Sequence, residues 1–561
     1  MAKIYKLKIF NFRGIEEFEH VFGDQSLICL IGRGDAGKST ILKAISYVLS
    51  PSWNITILDN DFFEGNIENN IVIEATLINV PEAFLQEDKF GFQIRGLNKG
   101  TGEIHDELQD GHEKILTIRL TVDKDLEPTW EVVNDRYGDN QIIKYRDREK
   151  LNTFFIADYI DRHFSWNKGT LLNSLYKSIE SDEGITEKNI IINALRTAKL
   201  EVDSNPFSHF DDAIEEIKKI SSELGIELNN TQTTLDFKDV FIKDGKAYLH
   251  DGKVPFSLKG KGSRRLTSIS IQMAIVKDGG IILIDEIEQG LEPDRVQHLV
   301  KTMKNKNLGQ TFITTHSRDV LVELDAKDIF LMKVSENSMV NFTGELQGVI
   351  RSNPEAFFSE RIFVCEGPTE IGIIRAIDDF RIQNGDKALS TLGVRYANGS
   401  GSSQIEYAKG FKNAGYDVCL FCDSDVREVN NKKEELKKLS INIVDSEEGN
   451  SIEDQMFNDL PWESLKSLVD YAISESSEES ITDSFIASYK RIHSTEPHEN
   501  WRNIDSPEIR KCLGIVSSKN GWYKRIDHGQ VIGKIICNAL NQMEGKRIKE
   551  EIENLSNWID A

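Results

Sequence analysis

Apolar and polar positions change their period along this chain, and the changes predict alternating strands and helices. Lys3–Phe12 alternates polar with apolar residues, as a strand with one buried face does, while residues 26–31 are continuously apolar, as a strand buried on both faces is. Alternating β-branched residues at 71–77 and 115–122 predict further strands, some of them an antiparallel sheet. From about 167 to 230 the period becomes helical. Ile214, Ile217, Ile220 and Leu224 form one apolar stripe, and Glu215, Glu216, Lys218 and Lys219 lie opposite. Such a stripe suits either a helix packed on its own domain or a dimerisation insertion. Residues 237–242 and 247–250 then flank Asp244-Gly245, a hairpin signal. A second α/β unit is predicted near Arg361, where an apolar strand at 362–365 runs into Glu366-Gly367 and a helix at 369–380. The polar run 347–355, with Pro354, reads as a linker before it, and the Ser/Glu-rich tract 474–480 as a solvated loop. Internal repeats and an extended heptad series are both absent from the pattern.

Length then divides the reading, because 561 residues exceed one hydrophobic core and imply two or three domains. A hydrophobic content of 39% with 29% charged residues is that of a soluble globular protein, and no run of 18 apolar residues offers a membrane span. Lys3, Lys6 and Lys8 interrupt the amino terminus where a secretory signal would be apolar, so a cytoplasmic location is expected. The scattered Cys29, Cys365, Cys419, Cys422, Cys512 and Cys537 make no disulfide framework, and the Cys419/Cys422 pair lies in an apolar run that reads as buried strand thiols. A net charge of −24 excludes a protein that coats nucleic acid over its whole surface. It leaves room for a local phosphate site in which carboxylates hold Mg²⁺ and the metal supplies the positive charge.

Gly32-Arg33-Gly34-Asp35-Ala36-Gly37-Lys38-Ser39 fits the P-loop pattern between a strand and a helix expected at 40–49. Backbone N–H groups of Gly32, Gly34 and Gly37 and the helix start at Thr40 would cradle ATP phosphates, with Lys38 on the β and γ phosphates and Ser39 on Mg²⁺. Ile281–Ile284 delivers Asp285 and Glu286 at a strand end; Asp285 is expected to hold Mg²⁺ and Glu286 to polarise the attacking water. Residues 311–315 form another strand that ends in His316-Ser317. Upstream, residues 257–265, with Ser263 and Arg264, resemble the signature loop of ABC-type ATPases. That resemblance implies that the loop meets the γ-phosphate of an opposing subunit and that His316 is a switch histidine. The roughly 220 residues between P-loop and signature suit neither transporter ATPases nor coiled-coil structural-maintenance proteins. Phe10-Asn11-Phe12-Arg13-Gly14 and the Asp285-Glu286-Ile287-Glu288 segment resemble the RecF and OLD (overcoming lysogenisation defect) branches.

Glu366 sits at a strand's carboxyl end and Glu370 one helical turn later, so both can face one metal. A buried strand at 418–422 ends in Asp423-Ser424-Asp425, and Ser451-Ile452-Glu453-Asp454 adds a third acidic segment. Carboxylates gathered on strand ends repel one another unless cations neutralise them, and Mg²⁺ or Mn²⁺ there can activate water against a phosphodiester. Glu-Gly-x-Thr-Glu followed by Asp-x-Asp resembles the Toprim pattern, and with the ATPase half in front the whole chain resembles an OLD-family ATP-dependent endonuclease. The resemblance implies an α/β fold with an ABC-type P-loop ATPase domain and helical insertion followed by a Toprim Rossmann-like domain: 1–166 ATPase, first part; 167–232 helical dimerisation insertion; 233–350 ATPase, second part; 351–561 Toprim nuclease. It also implies metal ligation by Ser451 and Glu453 and a later catalytic lysine, Lys524 or Lys519. Members, among which Gabija nuclease subunits share this domain order, act in antiphage defence as homodimers or larger assemblies on DNA, some alone and some with a helicase-like protein or with a retron's reverse transcriptase and its DNA. Two other readings stay open: a topoisomerase or primase activity of the Toprim unit, and a RecF-like DNA-clamping ATPase without cleavage.

Overall fold

The computed structural model describes residues 2–136, 140–156, 161–164, 170–172, 174–175, 193–194, 196–197, 199–201, 204, 211–223, 249–276, 279–306, 309–333 and 338–561. The hairpin expected at Asp244-Gly245 lies outside them, as does most of the helical insertion. Within that insertion Asp211–Glu223 is a helix whose Ile217 is exposed.

Two sheets enclose the P-loop helix. A six-stranded sheet runs Thr153–Ile156, Ile281–Ile284, Gln310–Thr314, Leu27–Ile31, Ile329–Lys333 and Ser338–Asn341, the first five parallel and the last antiparallel. Its central strands are buried along nearly their whole length because each face is covered, and Ile281–Ile284 and Leu27–Ile31 are accordingly apolar throughout. An eight-stranded antiparallel sheet contains Ile15–Val21, Lys3–Phe12, Ile71–Ile78 and Glu113–Val122 as neighbours in that order. Between the sheets, helix Lys38–Val48 buries Ile41, Leu42, Ala44 and Ile45 against Ile9, Ile73 and Leu120 on one side and Leu30 and Leu283 on the other.

A four-stranded parallel sheet forms the carboxyl-terminal half, in the order Val394–Asn398, Arg361–Cys365, Asp417–Cys422, Asn442–Asp445. Helices from Ile452 onward cover one face. Helix Pro368–Gln383 crosses helix Ile526–Ala539 so closely that a Cβ on Gly372 would stand 2.3 Å from Ile526 O, and one on Gly529 2.4 Å from Thr369 O. Only glycine permits that approach.

The polar linker expected at 347–355 is exposed only on one side, at Gly348, Arg351, Ser352 and Glu355. It folds as helix Gln347–Ser352 and a short turn at Pro354–Phe358, with Val349, Ile350 and Phe357 fully buried. One continuous core therefore runs from Ile31, Ile284 and Ile313 through Phe342 and Phe357 to Ile362, Val364 and Leu420. The reason is the spacing of Leu346, Val349 and Ile350, which puts them on one helical side against both sheets. The tract 474–480 is solvated, as expected, but is the junction of two helices, Trp462–Glu475 and Glu478–His493. Among the described residues no helix is long and apolar enough to cross a membrane.

Candidate nucleotide site and acidic site

The P-loop follows the strand Leu27–Ile31 directly. Gly37 takes φ 87° and Gly32 φ 143°, conformations that side chains rarely adopt, whereas Gly34 has open space around it. Buried Lys38 folds back so that its Nζ donates to Gly32 O (2.9 Å) and Arg33 O (2.8 Å). Its pKa is lowered by burial, against the pull of Asp285 and Glu286. Such an ammonium can exchange two carbonyls for phosphate oxygens. Ser39 Oγ donates to Asp285 Oδ1 (2.9 Å), and Thr314 Oγ1 donates to the same oxygen (2.6 Å). Residues 246 positions apart are thus paired where a Mg²⁺–nucleotide would sit. Thr40 stands half-buried in the helix's first turn.

Glu286 projects from the next strand with φ 47°, and its N–H donates to Thr314 Oγ1 (2.7 Å). The His316 N–H donates to Glu288 Oε1 (2.7 Å). Burial, then Lys38, lowers the His316 pKa and favours its neutral ring. Of the signature segment, Ser263 is exposed, Arg264 half-buried and Arg265 buried on the first turn of helix Lys261–Ile275. Motifs alone give Glu288, Thr314 and Arg265 no separate role, although Glu288 lies in the acidic segment 285–288 and Arg265 in the signature segment 257–265.

The acidic segments of the carboxyl-terminal half converge through the sheet. Adjacent strands Arg361–Cys365 and Asp417–Cys422 bring Glu366 beside Asp423: the Asp423 N–H donates to Glu366 Oε2 (3.1 Å), as does Gln404 Nε2 (3.0 Å). Glu370 Oε2 accepts from Gly367 N–H (2.8 Å), and Asp423 Oδ1 accepts from Ile452 N–H (2.9 Å), which ties in the segment carrying Glu453. Burial first, and then Glu370, Glu453 and Glu366, push Asp423 up to about 10. Burial and Glu453 push Glu370 up to about 8. Burial also raises Glu453, opposed by its backbone hydrogen bond and by the Lys524 ammonium. Lys524 belongs to the turn 521–525, fixed because Thr369 Oγ1 donates to Tyr523 O (3.2 Å). Lys519 is exposed in the last turn of helix Pro507–Asn520. Asp425 is exposed at the strand end. Ser451 caps helix Ile452–Asp459: its Oγ accepts from Asp454 N–H (3.2 Å) and donates to Asp454 Oδ2 (2.9 Å). Among the described residues no three acidic, imidazole or thiol groups already surround one point at coordinating distance. The donor set nonetheless fits a hard divalent cation, being oxygen-rich, buried and mutually repulsive without one. Gln404 and buried Lys433 were missed by motif. Lys433 Nζ donates to Ser424 Oγ (2.8 Å) and Asp445 Oδ2 (2.8 Å), clamping the turn after Asp423.

The two sites are joined. Arg33 of the P-loop pairs with Glu360 (3.3 Å) and donates to Thr391 O (3.0 Å), Arg318 pairs with Glu355 (2.7 Å), and the His316 ring lies 6.2 Å from that of Phe358. Of the partners in the carboxyl-terminal half, Glu355, Phe358 and Glu360 lie on the segment entering strand Arg361–Cys365, which Glu366 follows.

A glycine-rich phosphate loop, paired serine and aspartate, and a glutamate beside them at the carboxyl ends of a parallel sheet define a P-loop ATPase. The family model described as AAA ATPase domain matches residues 2–321, more than half the chain, and the chain belongs to that family. The DNA replication and repair protein RecF of Streptococcus equi subsp. zooepidemicus (strain H70) is 31% identical over 97 residues, 16% of this chain and 26% of that protein. The chain thus spans about a quarter of that relative's length. Among solved structures, the SmcHead bound to the C-winged helix domain of ScpA is similar at 16% identity, over 60% of this chain and 95% of that one, with a TM-score of 0.34. The SMC head domain from Thermotoga maritima is similar at 13% identity, over 61% and 99%, with a TM-score of 0.28.

Proposed function

We propose that this chain is an ATP-regulated, divalent-metal-dependent DNA endonuclease or nickase of the OLD type, acting as a dimer in antiphage defence. The observation that carries the reading is the acidic cluster. Glu366, Glu370, Asp423 and Glu453 come from three separate segments and lie within electrostatic reach of one another, and Glu453 feels the Lys524 ammonium. A cluster that costs stability without a cation is the donor set expected of a metal site rather than of a surface that binds phosphates directly. Glu366, Glu370, Asp423, Asp425 and Glu453 would hold Mg²⁺ or Mn²⁺, which when bound supplies an activated water and charge neutralisation at a phosphodiester. Ser451 serves by capping the helix that presents Glu453, and Lys524 faces the charge that develops on the phosphate.

In the ATPase half, Gly32, Gly34, Gly37, Lys38, Ser39, Thr40 and Asp285 bind Mg²⁺–ATP, Glu286 polarises water, and His316 follows the γ-phosphate. Exposed Ser263, beside half-buried Arg264, would face the nucleotide of a second subunit, as the ABC-type reading requires. The division into 1–166, 167–232, 233–350 and 351–561 belongs to the same proposal, with the insertion as dimerisation element. Activation by a helicase-like protein or by a retron's reverse transcriptase with its DNA belongs to it as well.

A second reading is favoured by the RecF-like segment: an ATPase clamp that binds DNA and cuts nothing. Supercoiled plasmid incubated with wild-type protein and Asp423→Ala, in Mg²⁺ or Mn²⁺, with and without ATP, separates the two. Nicked or linear product lost in the variant supports the nuclease. Gel-shift binding with no product in either metal supports the clamp.

A further inference from the structure

Within the signature segment the two arginines part company. Arg264 is half-buried, but Arg265 is only 3% exposed and turns into its own subunit. Its guanidinium forks over the loop that follows the acidic pair: Nη2 donates to Glu286 O (2.9 Å) and to Asp285 O, and Nη1 donates to Gln289 Oε1 (3.1 Å). Glu286 is the residue at φ 47°, a conformation sparsely populated by non-glycine residues and kept only where the surroundings hold it. Its N–H is held by Thr314 Oγ1, and its carbonyl by Arg265 together with the Gln289 N–H (2.9 Å). The helix itself is fitted to the same loop. A Cβ on Gly262 would stand 2.6 Å from Gly290 O, so the first helical turn and residues 286–290 cannot move independently.

We propose that Arg265 is a positioning residue for ATP hydrolysis, holding Glu286 in its left-handed backbone conformation and coupling its aim to the signature helix. The proposal rests on the reading that Glu286 polarises the attacking water. Ser263, two residues before Arg265, is exposed on the same turn. A phosphate seated there by a second subunit would bear on the helix that sets Glu286, so that hydrolysis answers to dimer closure through one arginine acting within its own chain. An arginine suits the task because its planar fork satisfies three acceptors at fixed angles, which an ammonium cannot do.

The test is steady-state ATP hydrolysis and equilibrium binding of a fluorescent ATP analogue with Mg²⁺ by the full chain, for wild type, Arg265→Ala, Arg265→Lys and Glu286→Gln. Arg265→Ala is expected to lose roughly 10²-fold in kcat, the scale of a catalytic group displaced by about 1 Å, with nucleotide affinity within about twofold of wild type. Added guanidinium is expected to restore part of the rate, and Arg265→Lys to fall between. A folded Arg265→Ala with wild-type kcat overturns the proposal. So does a loss that follows lowered melting temperature and that guanidinium leaves unchanged, which marks a purely structural role. Should Arg265→Ala not fold, Arg265→Lys carries the same comparison of kcat with affinity. Wild-type turnover by Glu286→Gln instead overturns the reading of Glu286 beneath the proposal.

Discussion

At the end of strand Leu27–Ile31 the chain presents a glycine-rich loop and an ammonium, whereas at the ends of Arg361–Cys365 and Asp417–Cys422 it gathers carboxylates. Both sites use the same device, the carboxyl ends of parallel strands. Their electrostatics are opposite. The nucleotide site supplies its own positive charge, and Lys38 waits on carbonyl oxygens that a phosphate can replace. The acidic site is dominated by negative charge, relieved in part by the N–H groups of Gly367, Asp423 and Ile452 and by Lys524. One half is therefore suited to an anion, and the proposed function gives the other a cation.

The sharpest way to break that contrast is to remove one acid. Asp423→Ala is expected to reduce plasmid cutting by roughly 10³-fold, several kcal/mol of barrier, with ATP turnover retained. Lys38→Ala is expected to show the reverse for ATP turnover, and loss of both activities in either variant would show that the sites are not separable. Next in size is the glycine crossing. Gly372→Ala forces a Cβ against Ile526 O and should destabilise the carboxyl-terminal half by about 1–3 kcal/mol. Tryptophan fluorescence in denaturant reads this half through Trp462, Trp501, Trp522 and Trp558, and an unchanged midpoint would show that the helices can part freely.

The pH dependence should run in opposite senses in the two halves. Burial raises Glu370 and Asp423, so in EDTA the stability they allow is full below the ordinary carboxylate range. It is lost as pH rises through about 8 and 10. Mn²⁺ should flatten that slope in a melting series, and a slope indifferent to metal counts against the cation site. His20, packed between Phe22 and Phe330, is pushed by burial down to about 4. The ATPase half should accordingly keep its stability above about pH 6.5 and lose it as pH falls toward 4, and His20→Phe should flatten this acid limb. The smallest effect is expected at the bridge between the halves. The half-exposed Arg33–Glu360 pair is worth at most about 1 kcal/mol, so Arg33→Ala should change the ATP dependence of cutting by no more than about fivefold. A larger change would make this contact the main route of coupling.

Much of the nucleotide site is legible in the chain because a P-loop is local. Eight consecutive residues carry the loop, and a continuous apolar strand announces what precedes it. The acidic segments are legible as segments, each a strand end or helix start. What escapes is every contact made by a residue without a motif. Gln404 reaches Glu366 across 38 positions, Lys433 clamps Ser424 to Asp445, and Arg265 turns inward although Ser263 on the same turn is exposed. The segment 347–355 misleads for a related reason: its polar residues suggest a linker, and only packing reveals that Val349 and Ile350 close a shared core.

The two α/β units, the phosphate loop and the candidate acids follow from the chain's own pattern, since period and local motif depend only on neighbours along it. Folding alone makes Ser39 meet Asp285 and Asp423 meet Glu366, brings the Lys524 charge to bear on Glu453 and gives both sites one core. Those pairings depend on strand order and close helix crossing, which are set by how the whole chain buries its apolar faces rather than by any single segment.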